Sequence, residues 1–180
     1  KVVLPSTTYD VKGLLAGAIM DDNLVMVLEH RALLNIKGDV PEEDYFLPLG
    51  VASVVKEGTD VTIVGISFMV HHALRAAEIL EKDGISVEVI DPRTLVPFDN
   101  ETIIKSVKKT GRMVVVDEAY GPCSFASEMI AIVQEEAFNW LNVPIQRINT
   151  LSAPIPFSPP LESYVLPDSE KIVAAVRAIM

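Results

Sequence analysis

The sequence predicts an α/β protein in which a mostly parallel β-sheet is flanked by helices. Short apolar runs alternate along the chain with longer segments of helical period, a pattern typical of parallel strands joined by helices. Hydrophobic residues make up 49% of the 180 residues, and the mean hydropathy is +0.34. This composition allows a buried core and excludes a disordered chain.

The charge and the cysteine content restrict the partners. Lysine and arginine total 15 against 25 aspartate and glutamate residues, which gives a net charge of -10. Because this charge repels phosphates, we expect neither nucleic acid nor a membrane as a partner. No apolar run approaches the roughly 20 residues that cross a bilayer. Cys123 is the single cysteine, which excludes an internal disulfide and indicates a reducing compartment.

The beginning of the chain contains few elements. Residues 2–4 are predicted to form a strand that ends at Pro5, and Thr7 and its neighbours offer hydroxyls to cap the following helix. Residues 24–28 are predicted as a second buried strand. Residues 29–48 lack the regular spacing of apolar residues that is typical of helices and strands, and they are predicted to form an exposed connection.

From residue 46 the pattern becomes regular. It predicts an edge strand at 52–55, a central strand at 61–64, further strands at 87–90, 113–116 and 145–148, and helices at 69–81, 100–109, 124–138 and 169–179. Asn100 and Ser169 are the predicted helix N-caps, and Gly111 is the predicted helix stop. The proline-rich residues 154–160 are predicted to be extended.

Residues 1–45 are predicted to supply only two strands and one helix, which are too few to bury both faces of a sheet. We therefore interpret residues 1–45 as the end of a domain whose beginning lies outside the sequence, and residues 46–180 as a complete α/β unit. The apolar faces of the first segment are expected to be exposed and to promote self-association.

Residues 61–73 have the outline of a dinucleotide-binding turn, a strand followed by a glycine and a helix. The fingerprint needs several glycines so that the backbone can approach a pyrophosphate. Here Gly65 is the only one, because Ser67 and Val70 occupy the other two glycine positions. The pattern is more typical of a tight strand-to-helix turn, and a nucleotide-dependent oxidoreductase remains a weaker alternative.

The end of the first helix offers oxygen ligands. Ala18 and Ile19 contribute carbonyls, and Asp21 and Asn23 contribute side-chain oxygens, at a helix end that carries partial negative charge. The pattern fits a cation in a ring of oxygens. It also fits an ordinary helix stop with Asn23 in a left-handed conformation.

Polar residues follow the predicted strand at 113–116. Asp117 and Glu118 lie at its carboxyl end, where α/β proteins gather functional groups. Cys123 lies near a helix N-terminus, where a thiol can become a nucleophile, but a small buried side chain is the favoured interpretation.

The histidines form no recognisable site in the sequence. His71 and His72 are adjacent and point about 100° apart on a helix, so they cannot chelate one metal. His30 follows the strand at 24–28 and is expected to line a crevice. No nucleophile, base and oxyanion hole are assembled, so we predict no catalytic residue on this chain.

The chain resembles a known family over its whole length. The resemblance lies in the motifs Lys1-Val2-Val3-Leu4-Pro5-Ser6-Thr7, Lys12-Gly13-Leu14-Leu15, Asp21-Asp22-Asn23, Leu28-Glu29-His30, Pro41-Glu42-Glu43-Asp44-Tyr45, Pro48-Leu49-Gly50, Glu57-Gly58-Thr59-Asp60-Val61-Thr62, Asp91-Pro92-Arg93-Thr94-Leu95-x-Pro97 and Pro154-Ile155-Pro156-Phe157-Ser158. These motifs are similar to the beta subunit of thiamin-diphosphate-dependent 2-oxo-acid dehydrogenases of the pyruvate, branched-chain and acetoin types. The later motifs also fit the wider transketolase C-terminal domain family.

The resemblance implies that this chain contains parts of two domains and that the cofactors bind elsewhere in the parent protein. Residues 1–45 would be the remnant of a pyrimidine-binding domain, and residues 46–180 a transketolase-type C-terminal domain. The parent would decarboxylate a 2-oxo acid oxidatively and transfer the acyl group to a lipoyl arm. Thiamin diphosphate and magnesium would be held elsewhere in the parent, so this chain would have no cofactor-binding residue and would be inactive alone. A non-catalytic assembly module is the alternative.

The resemblance also implies a potassium site at Ala18, Ile19, Asp21 and Asn23. Expected partners are an alpha subunit, a second beta subunit and the peripheral subunit-binding domain of an acyltransferase. That domain would dock at residues 142–144 and Met180, although relatives that dock there often have aspartate in place of Asn142. Residues 117–120 likewise depart from the Glu-Gly-Trp pattern of the family. The expected compartment is a bacterial or archaeal cytoplasm or an organelle matrix.

Overall fold

The computed structural model describes residues 1–180 of the chain. The elements follow in the order β1 (Val2–Val3), α1 (Thr8–Met20), β2 (Met26–Val27), β3 (Ser53–Lys56), β4 (Val61–Gly65), α2 (Met69–Glu81), β5 (Val87–Asp91), β6 (Thr94–Val96), α3 (Asn100–Thr110), β7 (Met113–Tyr120), α4 (Phe125–Ala137), β8 (Gln146–Thr150), α5 (Pro159–Val165) and α6 (Ser169–Arg177). Two short 3-10 helices span Arg31–Asn35 and Phe138–Trp140. None of the helices is both long enough and apolar enough to cross a bilayer.

The larger sheet has five strands in the order β3-β5-β4-β7-β8. β4 pairs in parallel with β5 and β7, and β7 pairs in parallel with β8. Only β3 is antiparallel, and it lies at the edge beside β5. The prediction of a mostly parallel sheet with a central strand near residues 61–64 is confirmed.

Helices cover both faces of this sheet. Ile63 of β4 lies in a core that includes Ile172 of α6, together with residues of α2. The next residue, Val64, lies in a second core that includes Ile103 of α3, together with residues of α4. Because successive strand residues point to opposite faces, covering both faces requires the continuous apolar runs seen in the sequence.

A smaller sheet joins the beginning of the chain to the rest. It has the order β2-β1-β6, with β1 parallel to β2 and antiparallel to β6. The Leu4 N–H extends this contact by donating to the Arg93 carbonyl at 2.8 Å. The sequence pattern did not predict β6, because its pairing partner β1 is remote in the sequence.

A glycine lets the connection at residues 45–47 lie directly on α1. A Cβ at Gly13 would stand 2.6 Å from Leu47 Cγ and 2.8 Å from Tyr45 Cε2. The Tyr45 ring stacks on Tyr9 with centroids 4.5 Å apart, and its hydroxyl donates to the Tyr9 carbonyl at 2.7 Å. α1 is therefore held by the chain segment that follows it.

The prediction of a second buried strand at residues 24–28 is wrong. β2 contains only Met26–Val27, and Leu24 is 86% exposed. β2 is an edge strand of the smaller sheet, and Met26 is 54% exposed. The exposed large apolar side chains before residue 45 are Tyr9, Val11, Leu15, Ile19, Met20, Leu24, Met26, Leu28, Leu34, Ile36 and Val40. The expected exposure is seen, whereas the boundary at residue 45 and self-association stay predictions.

Two helix caps lie one residue before the predicted positions. Asp99 rather than Asn100 caps α3, and Asp168 rather than Ser169 caps α6. Each carboxylate accepts a hydrogen bond from a backbone N–H three residues later. A negative charge at this position also interacts favourably with the helix dipole. The predicted stop at Gly111 is confirmed by its φ of +68°.

Two segments are more regular than predicted. The proline-rich segment is extended only in part, because α5 begins at Pro159. Proline is tolerated in a first helical turn, where its missing N–H would have no partner in the helix. The mostly exposed connection at 29–48 contains the 3-10 helix Arg31–Asn35.

Candidate functional site at the carboxyl edge of the sheet

The strand order of the larger sheet creates a crevice at its carboxyl edge. After β4 the chain adds β5 on one side and then returns to add β7 on the other. Ligands of open α/β sheets bind at such a reversal, outside the carboxyl ends of the strands. The reversal lies between residues 66–68, which follow β4, and residues 117–118 of β7. We call this position the switch-point crevice.

The side chain of His30 occupies the switch-point crevice. Its Nε2 lies 2.7 Å from Glu118 Oε2, and its ring stacks on Phe68 with centroids 5.0 Å apart and an interplanar angle of 9°. Its Nδ1 accepts a hydrogen bond from the Ala32 N–H at 3.2 Å. Because Nδ1 accepts, the proton of the neutral ring is on Nε2, which donates to Glu118.

The other two histidines lie around the same aromatic ring. His72 meets Phe68 edge-on at 5.0 Å, and His71 Nε2 donates to the Ser6 carbonyl at 2.8 Å. Burial lowers the pKa of His72, which favours the neutral ring at pH 7. The structure therefore brings together His30, the histidine pair and Glu118. No group of three or more His, Cys, Asp or Glu side chains is arranged to hold a metal ion.

Gly65 has a packing role in the turn beside the crevice. A Cβ at this position would lie 2.8 Å from the Met69 carbonyl and from the Val70 nitrogen. The glycine is therefore needed for the close approach of β4 to the first turn of α2. This packing requirement explains why a glycine stands at position 65 without a bound nucleotide.

Asp117 is buried beside the crevice and only partly paired. Its Oδ1 accepts the Ala119 N–H at 3.0 Å, whereas its Oδ2 has no hydrogen-bond partner. Asn149, its neighbour in β8, donates to the Asp117 carbonyl at 3.2 Å. With Glu118 nearby, this edge of the sheet presents carboxylates, which would repel an anionic ligand.

The prediction that Cys123 is buried is wrong. Its thiol is exposed, and the residue has a φ of +58°. It lies in a surface turn between β7 and α4, where the chain reverses outside the sheet. The sequence could not show this, since a helix N-terminus is compatible with either burial or exposure.

A buried polar cluster, not predicted from the sequence, joins the beginning of the chain to the end of β5. The Ser6 hydroxyl donates to Asp91 Oδ2, and the Arg93 N–H donates to Asp91 Oδ1 at 2.8 Å. Arg93 also pairs with Asp10, its Nη2 lying 2.7 Å from the carboxylate. Asp91 follows a predicted strand at its carboxyl end, as Asp117 does, and this position could have identified Asp91 as a candidate functional residue.

The predicted cation ligands lie together at the end of α1. The Asp21 N–H donates to the Ala18 carbonyl at 3.4 Å, and Asp21 Oδ1 accepts from the Asn23 N–H at 2.9 Å. Ile19 is 75% exposed on the same turn. The Lys1 ammonium pairs with Asp21 and, with the Asn23 contacts, lowers the pKa of this carboxyl to about 2. Lys1 therefore supplies a positive charge at this turn, and the cation site stays a prediction.

The fold and the site define a doubly wound α/β domain whose switch-point crevice is occupied by a histidine of the same chain. Residues 50–172 match the family model described as "Transketolase, C-terminal domain". The chain belongs to this family.

Relatives match the chain over its whole length. It is 47% identical over 180 residues to the acetoin:2,6-dichlorophenolindophenol oxidoreductase subunit beta of Cupriavidus necator, covering 100% of this chain and 53% of that protein. It is 45% identical to two Bacillus subtilis proteins, covering 55% of each: the 2-oxoisovalerate dehydrogenase subunit beta (99% of this chain) and the pyruvate dehydrogenase E1 component subunit beta (100% of this chain). The chain spans about half the length of the curated relatives it matches. The resemblance to these beta subunits is confirmed.

A solved structure shows the same architecture. It is described as "Split gene transketolase, inactive beta4 tetramer", and it superposes with a TM-score of 0.83 at 27% identity. The superposition covers 98% of this chain and 56% of that one. The transketolase-like fold expected from the sequence is thereby confirmed.

Proposed function

We propose that the chain is part of the beta subunit of a thiamin-diphosphate-dependent 2-oxo-acid dehydrogenase or acetoin oxidoreductase. With a 2-oxo acid as substrate, the parent enzyme would decarboxylate it oxidatively and transfer the acyl group to a lipoyl arm. The observation that carries this proposal is the similarity to beta subunits of the acetoin, branched-chain and pyruvate types across the whole chain. The compartment we propose is a bacterial or archaeal cytoplasm or an organelle matrix.

This part of the subunit serves assembly rather than chemistry. The residues of the chain do not fit thiamin diphosphate, because the carboxyl edge of the sheet presents the carboxylates of Asp117 and Glu118 to a diphosphate. Titration calorimetry of the 180-residue chain with thiamin diphosphate and magnesium is therefore expected to show no stoichiometric binding. Tight binding with one site per chain would contradict this assignment.

Reconstitution tests the function of the parent. The chain is combined with the alpha subunit of the Cupriavidus relative and with the half of that relative's beta subunit that this chain does not match. We expect reduction of 2,6-dichlorophenolindophenol that depends on a substrate and thiamin diphosphate, with acetoin, pyruvate and 2-oxoisovalerate compared in parallel. Omission of each component is the control. Formation of the full complex without turnover on any substrate would instead support the non-catalytic assembly module.

A docking surface for an acyltransferase is supported by a cavity at residues 142–144. It has a volume of about 400 Å³ and is lined by Ile130, Gln134, Phe138, Leu141, Asn142, Val143, Pro144 and Ile145. We propose that the peripheral subunit-binding domain docks here and at the half-exposed Met180. Capture of this chain by the isolated binding domain, weakened by Val143→Asp, would support docking, and equal capture of both forms would contradict it.

Other subunits would cover the apolar residues near the start of the chain. Ile19, Met20 and Leu24 are largely exposed, and a second beta subunit and an alpha subunit are the proposed partners. Light scattering is expected to show association of the isolated chain, which Met20→Glu reduces. A monodisperse monomer at high protein concentration would contradict this proposal.

A potassium ion at the end of α1 is the remaining ligand we propose. Ala18, Ile19, Asp21 and Asn23 offer carbonyl and side-chain oxygens at one helix end. Potassium chloride is expected to raise Tm more than sodium chloride at equal ionic strength, and Asp21→Asn is expected to abolish the difference. The neighbouring Asp22→Asn is the control, and equal effects of the two salts on the unsubstituted chain would argue against the site.

A further inference from the structure

The contacts of His30 satisfy every polar atom of its ring. Nε2–H donates to Glu118 and Nδ1 accepts from Ala32, while one ring face stacks on Phe68. The three contacting groups come from three different elements: β7, the 3-10 helix Arg31–Asn35 and the turn after β4. A donor, an acceptor and a flat apolar face arranged in this way are complementary to a neutral imidazole.

The groups that contact the His30 ring also lie at a position where a ligand is expected. It lies at the reversal of strand order, where α/β sheets of this kind bind ligands. His30 comes from the chain itself, from a segment outside the larger sheet. It also caps the 3-10 helix that follows it, because its own Nδ1 accepts the Ala32 N–H.

We propose that the switch-point crevice is an imidazole-binding site whose natural occupant is the side chain of His30. By filling this site, His30 holds residues 28–36 against the carboxyl edge of the larger sheet. His30 is then a positioning residue. It fixes the orientation of the segment that carries the exposed apolar side chains, including Leu34. The proposal uses contacts within the chain only and is independent of the proposed enzymatic function.

Replacement of the occupant by free imidazole tests the site directly. His30→Gly removes the ring and leaves Glu118 and Phe68 in place, and an imidazole bound between them could again accept the Ala32 N–H. Imidazole is expected to stabilise this variant and not the unsubstituted chain. At a concentration tenfold above its Kd, it would raise the folding equilibrium constant about tenfold. 1-Methylimidazole, which accepts but cannot donate, is expected to give no comparable effect.

Two control variants distinguish imidazole binding in the crevice from an unspecific effect of the His30→Gly substitution. Glu29→Gly adds the same backbone freedom at the adjacent exposed residue without emptying the crevice. It is expected to show no response to imidazole. The double variant His30→Gly with Glu118→Ala lacks the carboxylate that accepts the imidazole N–H, and it is also expected to lose the response.

Two measurements that do not need the His30→Gly variant keep the proposal falsifiable if that variant does not fold. Nitrogen NMR is expected to show His30 as the Nε2–H tautomer, and amide exchange of residues 28–36 is expected to quicken in Glu118→Ala. The protonated Nδ1 tautomer, unchanged exchange in that variant, or an imidazole response in Glu29→Gly equal to that of His30→Gly would overturn the proposal. Binding of NAD to the unsubstituted chain would also overturn it, because His30 would not be the occupant.

Discussion

Asp10 and Arg93 form an ion pair between α1 and the segment that links β5 to β6. The Arg93 Nη2 lies 2.7 Å from Asp10 Oδ1, and only 3% of the Asp10 side chain is exposed. The pair lies beside the backbone contact between Leu4 and Arg93 and the side-chain contact between Ser6 and Asp91. These contacts hold the beginning of the chain against the larger sheet.

Loss of this pair is expected to be costly. Arg93→Met leaves the Asp10 carboxylate buried without a counter-ion, which should reduce the free energy of unfolding by about 3–5 kcal/mol. Urea denaturation measures the change. Arg177→Met is the control, because Arg177 pairs with Asp83 at the surface and its loss should cost less than about 1 kcal/mol. Equal losses in the two variants would contradict the assigned role of the buried pair.

Asp91 is expected to make the stability depend on pH. Burial raises the pKa of Asp91 to about 6, although hydrogen bonds from Ser6 and Arg93 act in the opposite direction. Because the folded pKa exceeds the unfolded value, the contribution of this group to stability is fully present below about pH 4 and is lost as pH rises through about 6. At pH 7 the loss is on the order of 3 kcal/mol.

Asp91→Asn isolates this contribution, since the amide keeps the size of the side chain and does not titrate. The free energy of unfolding of the original chain, relative to that of the variant, is expected to fall between pH 4.5 and pH 7.5, as measured by urea denaturation. Parallel curves for the two proteins over this range would show that Asp91 is already ionised in the folded state.

Two glycines in turns should differ in their tolerance of a methyl group. A Cβ at Gly58 would lie 2.1 Å from the carbonyl carbon of Val87 in β5, so Gly58→Ala requires the backbone to move. We expect this change to cost about 3 kcal/mol. Gly84 has a φ of +77° but no atom within 4 Å of its Cβ position, so Gly84→Ala should cost only about 1 kcal/mol. Thermal unfolding compares the two, and a reversed order would count against the packing of the turn before β4.

Cys123 should react with a thiol reagent in the folded protein. Its side chain is exposed, so iodoacetamide is expected to label the native chain at a rate similar to that in urea, with no change in Tm. Cys123→Ser is the control for labelling at other residues. Labelling only after denaturation would show that the thiol is buried, as the sequence alone had suggested.

Local patterns were sufficient for most of the larger sheet. The helix predicted at residues 69–81 has the same bounds in the structure, and the strands at 61–64 and 87–90 are each extended by one residue. The apolar residues of these elements are regularly spaced, so the local sequence is enough to predict where each helix or strand lies. The strand β6 and the 3-10 helix Arg31–Asn35 are short. β6 pairs with the remote β1, and the 3-10 helix follows His30, whose ring contacts the remote residues Phe68 and Glu118.

The sequence by itself determined the alternation of strands and helices, the acidic charge and the similarity to beta subunits. It also named His30, His71, His72 and Glu118 as polar residues without a common site. Only the tertiary structure decided that the three histidines meet around Phe68, that Glu118 pairs with His30 and that Cys123 is exposed. The physical reason is that strand order brings distant residues to one edge of a sheet, while periodicity records only which side of an element is apolar.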